Sequence, residues 1–358
     1  MKNKARVSNI ELLRILTMLG VVALHYNRAE IGGAFAIVPA GSLAQVLLYF
    51  IESIAIVAVN LFVLISGYFM CTSQKRNPWK IITLLVQVSV FSFGVYMLRE
   101  GLGEGTLQIK PLVGSLVPAN YFVLLYGALY FVSPYLNLVL QKKTLTRGLL
   151  ITMGLLFSVW STVVDLATDL TGITVSGIHT ISAQGSQYGY TIINFTLMYL
   201  IGGYLRLAEP KQAATWKLVV AFFGNALVLT LWALSGKLLN RPLDNSAWAY
   251  SNPLVIINAV LAFVLFRRIP LGEVKWINKL AEAAFTVFLL HKEFFRFLGI
   301  EKAAISGPAV LIGHMLLSCV VIYVVSWCVF VVYRFVSRPV FAFLEKKFPL
   351  RLPEIPVE

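Results

Sequence analysis

A chain of 358 residues that is 58% hydrophobic and only 13% charged, with a mean hydropathy of +0.80, is excluded from the ordinary soluble globules. Its 30 Lys and Arg against 16 Asp and Glu leave a formal net charge of +14. The bases collect in alternate connections between apolar runs, which is the mark of membrane topology and does not imply a nucleic-acid partner.

Apolar runs of spanning length predict ten transmembrane helices, at about 9–27, 44–70, 80–99, 118–140, 148–165, 187–206, 215–236, 253–267, 280–298 and 308–334. The run at 253–267 is short and opens at Pro253, so it is expected to tilt, kink or extend upstream. The loops carrying Lys75, Arg76, Lys80, Lys142, Lys143, Arg147, Arg267 and Arg268 belong inside, which puts both termini in the cytoplasm. The expected fold is an all-α integral membrane bundle over residues 1–336. A short amphipathic cytoplasmic tail, 337–358, mixes aromatic and basic residues in a way that suits the membrane interface. The first run is interrupted by Arg14 and lacks a small-x-small cleavage site, so it is expected to be retained. Cys71, Cys319 and Cys328 have neither metal-ligand spacing nor a disulfide framework; they are expected to be packing residues, and no metal is expected.

In the first run, Arg14 and His25 lie eleven residues apart. Eleven steps of 100° come to about 1100°, close to three full turns, so the two share one helix face roughly 16 Å apart along the axis. A charge at mid-span costs about 2.5–3.5 kcal/mol on insertion scales and usually faces a cavity or a substrate path. Glu11, one turn before Arg14, sets an intrahelical ion pair beside a functional reading, since an orienting carboxylate can also hold a guanidinium ready for phosphate or a developing oxyanion.

Glu52 falls at a depth comparable with His25 and could orient its imidazole as the acid of a catalytic triad does, with interfacial solvation as the alternative. Ser66-Gly67, in Asn60-Leu-Phe-Val-Leu-Ile-Ser66-Gly67-Tyr68, reads better as a helix-packing contact than as a nucleophile, because no base is adjacent in sequence. The tyrosines Tyr126 and Tyr130 either face sugar or form an interfacial belt. The connection 168–187, with Asp169 and His179, could cover a site. In the ninth run His291 adds a second imidazole at the depth of His25.

Taken in order, these segments resemble the membrane-bound acyltransferase family 3, the polysaccharide O-acyltransferases, across nearly the whole chain. The resemblance is carried by Arg14 and His25 at Arg-x10-His spacing, Asn60 to Tyr68, Tyr121 to Asn137 with its Ser-Pro, Gly202-Gly203-Tyr-Leu-Arg206 and Phe288-Leu-Leu-His291. Where many members have an aspartate three places before the arginine, this chain has Glu11. Larger members append an extracytoplasmic hydrolase-like domain; here transfer is expected to be completed by the membrane domain.

The resemblance implies transfer of an acyl group, usually acetyl, from acetyl-CoA or another acyl-CoA to a hydroxyl of a glycan or lipid-linked glycan. It implies Arg14 and His25 as the essential pair. On this expectation Arg14 meets the donor, His25 is the general base, Glu52 and His291 assist it, and Lys75, Arg76 and Lys80 hold donor phosphates at the cavity mouth. Positive-inside topology alone is the weightier account of those three bases. Membrane lipids are the remaining partner, and no cofactor is bound permanently. The rival reading is a transporter or flippase of a small polar or lipid-linked molecule, against which stands the absence of paired broken helices in matching halves.

Overall fold

A computed structural model describes residues 7–103, 108–175, 187–209, 213–350 and 352. His179 and most of the 168–187 connection lie outside the described residues. The described chain is helical throughout, with no strand among the described residues. Its first half comprises α1 (Ser8–Asn27), α2 (Ala34–Ile37), α3 (Leu43–Ala55), α4 (Ala58–Met70), α5 (Pro78–Gly101), α6 (Ile109–Leu116), α7 (Tyr121–Leu140), α8 (Lys143–Gly154) and α9 (Trp160–Thr171). The second half comprises α10 (Ile192–Leu207), α11 (Thr215–Leu239), α12 (Leu243–Ala247), α13 (Pro253–Arg267), α14 (Lys275–Ala281), α15 (Ala284–Phe294), α16 (Ile300–Ile305) and α17 (Pro308–Lys347).

Among the described residues seven segments are long and apolar enough to cross a membrane: α1, α3 with α4, α5, α6 with α7, α8 with α9, α11 and α17. The runs expected at 187–206 and 253–267 correspond to the shorter apolar helices α10 and α13, and the run at 280–298 to α15 with the end of α14. The last helix continues through Pro339 to Lys347, so residues 337–347 of the expected tail are a continuation of α17. Local sequence explains the helix starts. Asn77 and Asn252 each accept from a backbone amide two residues on, at 3.0 and 2.9 Å, with proline in the first helical position, where its missing N–H is no loss.

α4 and α10 make the closest crossing. Gly67 lies against the backbone of Tyr199 and Gly202 against that of Leu64, with no room at either for a Cβ. In lipid, helices associate through such small-residue approaches and through buried polar pairs, and here Asn194 donates to Asn60 at 2.9 Å across the same crossing. This gives Ser66-Gly67 its packing role; the Ser66 hydroxyl donates back to the Phe62 carbonyl at 2.9 Å.

In α7, Pro134 leaves the carbonyl of Tyr130 without its helical donor. That carbonyl is met by the Ser133 hydroxyl at 2.7 Å and by Arg76 Nε at 3.2 Å. One turn on, Asn137 donates to the carbonyls of Met70 and Ser73 and accepts from Tyr199 at 2.8 Å. The Ser-Pro-x-x-Asn stretch thus ties the connection after α4 to α7 and α10. α1 runs through the middle, contacting α3, α4, α13, α14, α15 and α17.

Candidate active site

One stripe of α1 and its flanks, Val7, Glu11, Arg14, Met18, Val21, His25 and Arg28, lines a cavity of about 1330 Å³. The alternating spacing of four and three is a single helical face, and at 1.5 Å per residue it covers roughly 31 Å from Val7 to Arg28. The opposite walls come from α3, α4, α5, α7, α10, α13 and α15 and from the segments preceding α10 and α13. Small-molecule sites usually enclose about 300–1,000 Å³; this space can hold two substrates together.

At the Val7 end the wall is basic. Arg14, one-third exposed, pairs with Glu11 at 3.1 Å. Arg206 and Arg267 both address Tyr68, with Nη1 donating to its hydroxyl at 3.1 and 3.5 Å and the guanidinium carbons 5.1 and 6.0 Å from its ring centre. Lys80 donates to the Tyr126 hydroxyl at 3.1 Å and lies 4.9 Å from the Tyr130 ring centre. Four cations and one carboxylate line this end, a composition suited to phosphate groups. The middle is apolar, with Met18, Val21, Phe62, Ile65, Leu84 and Phe285.

At the Arg28 end the wall carries imidazole, carboxyl and phenol groups together with two cations, Lys292 and Arg28, the latter paired with Glu30 at 2.9 Å. His25 Nδ1 sits 2.9 Å from the Val21 carbonyl. A carbonyl can only accept, so Nδ1 carries the proton of the neutral ring and the lone pair is left on Nε2. The backbone of α1 therefore fixes the tautomer a general base requires. Glu52, buried yet part of the wall, accepts from Asn27 at 2.7 Å; this amide, and not His25, is its partner. His291 packs edge-on against His25 with ring centres 4.7 Å apart. It is fully buried and does not line the cavity, its Nδ1 lies 3.0 Å from the Val287 carbonyl, and its Nε2 has no partner among the described residues. It is thus beside His25 and off the cavity wall.

Of the three bases expected at the mouth, only Lys80 lines the cavity. Arg76 is buried and donates to the carbonyls of Met70, Ser73, Lys75 and Tyr130 and to the Ser133 hydroxyl, at 2.8–3.5 Å. It is the anchor of the connection after α4. Lys75 is absent from the wall, and its carbonyl serves Arg76. Arg206 and Arg267 take their place. In sequence, Arg267 reads as a positive-inside base and Arg206 as the end of Gly202-Gly203-Tyr-Leu-Arg206, because a base in the last turn of a span is what the positive-inside rule expects.

The fold and cavity define a multi-pass helical membrane protein with a large, chemically two-ended site. The model of acyltransferase family 3, described as an acyltransferase domain, matches residues 7–332, and the chain belongs to that family. It is an acyltransferase. Neither a curated protein nor a solved structure matches it.

Proposed function

We propose that the protein is an O-acetyltransferase moving acetyl from acetyl-CoA to a hydroxyl of a cell-envelope or exported glycan. The observation that carries this reading is the single cavity lined by both Arg14 and His25, basic at one end and holding an imidazole base at the other. Acetyl-CoA enters from the cytoplasm at the Val7 end, where Arg14, Arg206, Arg267 and Lys80 receive its phosphates. Its extended arm crosses the apolar middle over the roughly 16 Å that separates Arg14 from His25, which brings the thioester to the imidazole.

The acceptor hydroxyl approaches from the Arg28 end. His25 Nε2 takes its proton as the oxygen attacks the thioester carbonyl carbon. The carbon–sulfur bond then breaks, the proton passes from Nε2 to the departing sulfur, and free CoA and the acetyl ester result. General-base assistance of this kind is typically worth 10²–10⁴-fold. His291 is a positioning residue that fixes the plane of the His25 ring, and Glu52, held by Asn27, supplies a polar patch of wall for the acceptor.

The test uses purified protein with labelled acetyl-CoA and a candidate glycan. The expected result is stoichiometric release of CoA and labelling of the glycan, both lost in His25→Ala. Movement of glycan across vesicles with no thioester cleavage, retained in His25→Ala, would replace this reading with a transporter.

A further inference from the structure

Tyr188 stands out in the backbone. Its φ of 48° and ψ of 39° place a bulky side chain in the left-handed region, which costs a residue with a Cβ roughly 1–2 kcal/mol and persists only where the surroundings enforce it. The enforcement is visible. Gly189, also left-handed, lies against the backbone of Ser251 with no room for a Cβ. The Tyr250 amide donates to the Tyr188 carbonyl at 2.7 Å, and the Tyr250 carbonyl accepts from Asn60 at 2.9 Å. The Ser251 carbonyl accepts from Ser158 at 2.6 Å, and Ser158 lies in the π-helical turn Leu155–Val159, an irregularity often found at functional sites. α4 and the π-helical turn thus hold Tyr250-Ser251, and the Tyr250–Tyr188 hydrogen bond with the Gly189 contact seats Tyr188-Gly189-Tyr190 against it.

This clamp delivers aromatic rings. Tyr188, Tyr190 and Tyr250 all line the cavity that holds His25, Glu52 and Asn120. Tyr190 and Tyr250 have ring centres 5.4 Å apart at 39°. Tyr188 remains 39% exposed, so burying its ring is not what the strain achieves. Glycine or asparagine would form the same turn at lower cost. A lipid-interface belt is also the wrong description, since these rings lie on the cavity wall.

We infer that Tyr188, Tyr190 and Tyr250 form a saccharide-binding platform, which takes the apolar face of a pyranose ring of the acceptor and presents its hydroxyls to Asn120, Glu52 and His25. The assignment rests on the acceptor reading above and adds the part of the acceptor that is gripped. Phenol rings suit this ligand because they offer a flat apolar surface; the Tyr188 hydroxyl is engaged by Asn245, and those of Tyr190 and Tyr250 are the ones that pair with sugar hydroxyls.

The experiment titrates purified full-length protein with defined hexose, hexosamine and hexuronate oligosaccharides by calorimetry, alongside thermal melts. Wild type binds at least one of them. Tyr188→Gly and Tyr250→Ala each weaken that binding about tenfold, equivalent to ~1.4 kcal/mol. Tyr188→Gly does so without lowering the melting temperature, because it removes left-handed strain. Failure of wild type to bind any oligosaccharide, unchanged affinity in both variants, or a loss of affinity in Tyr188→Gly that comes only with a lower melting temperature would each overturn the platform. Oligosaccharide binding by wild type without CoA release would leave the platform standing and remove the acyl-transfer reading; CoA release to a glycan that the tyrosine variants bind normally would do the reverse.

Discussion

The two ends of the cavity are built from the same α1 stripe yet differ in chemistry. At the Val7 end, Arg14, Arg206, Arg267 and Lys80 stand on the wall, steadied by one carboxylate and by tyrosine hydroxyls and rings. At the Arg28 end the imidazole of His25 is tuned by a backbone carbonyl and flanked by a buried second imidazole. The difference separates the two tasks of the proposed transfer: holding an anionic donor needs fixed charge, whereas removing a hydroxyl proton needs a neutral base with its lone pair in a known place.

Substitutions at each end should break this comparison in different ways. The largest effect is expected from His25→Ala, with CoA release falling by at least about 100-fold while membrane insertion and melting temperature stay near wild type; wild-type turnover would remove the base from the mechanism. Arg14→Lys should come next, since an ammonium cannot reproduce the planar fork that grips phosphate or carboxylate oxygens. Its loss should be read mainly as a raised donor KM, and full activity would mean that charge alone suffices.

Arg206→Gln and Arg267→Gln should each raise the donor KM about tenfold, an effect of ~1.4 kcal/mol, with little change in acceptor KM; an equal rise in both constants would contradict the division of the cavity. Arg76→Gln sharpens the contrast from outside the wall. It strips donors from several carbonyls and should cost about 1–3 kcal/mol of stability, read as a lower melting temperature with donor KM unchanged. The smallest effect belongs to Glu11→Gln, where loss of a partly solvated i,i+3 pair is worth only a few tenths of a kcal/mol.

Much of this plan was legible in the sequence, for reasons that can be named. Hydropathy locates the helical segments because a membrane span must satisfy its backbone internally. The eleven-residue interval between Arg14 and His25 fixes a shared face because helical periodicity is local. Other features depend on residues far apart in the chain. Arg76 carries no sign in sequence that Pro134 frees a carbonyl for it; Arg206 and Arg267, sixty-one positions apart, meet only over Tyr68. The partner of Glu52 is Asn27, and the tautomer of His25 follows from its own helix, so the backbone fills the role that sequence gives to a triad-like acid. The left-handed Tyr188 lies in a connection without periodicity, where sequence says little about φ.

The central claim is that donor and acceptor reach one site from opposite ends of a single cavity. Proteoliposomes with labelled acetyl-CoA on the side of the Val7 end and glycan sealed on the other test it directly. Label is expected on the glycan in the opposite compartment, with CoA released on the donor side and both signals absent in His25→Ala. Labelling only when donor and glycan share a compartment would contradict it.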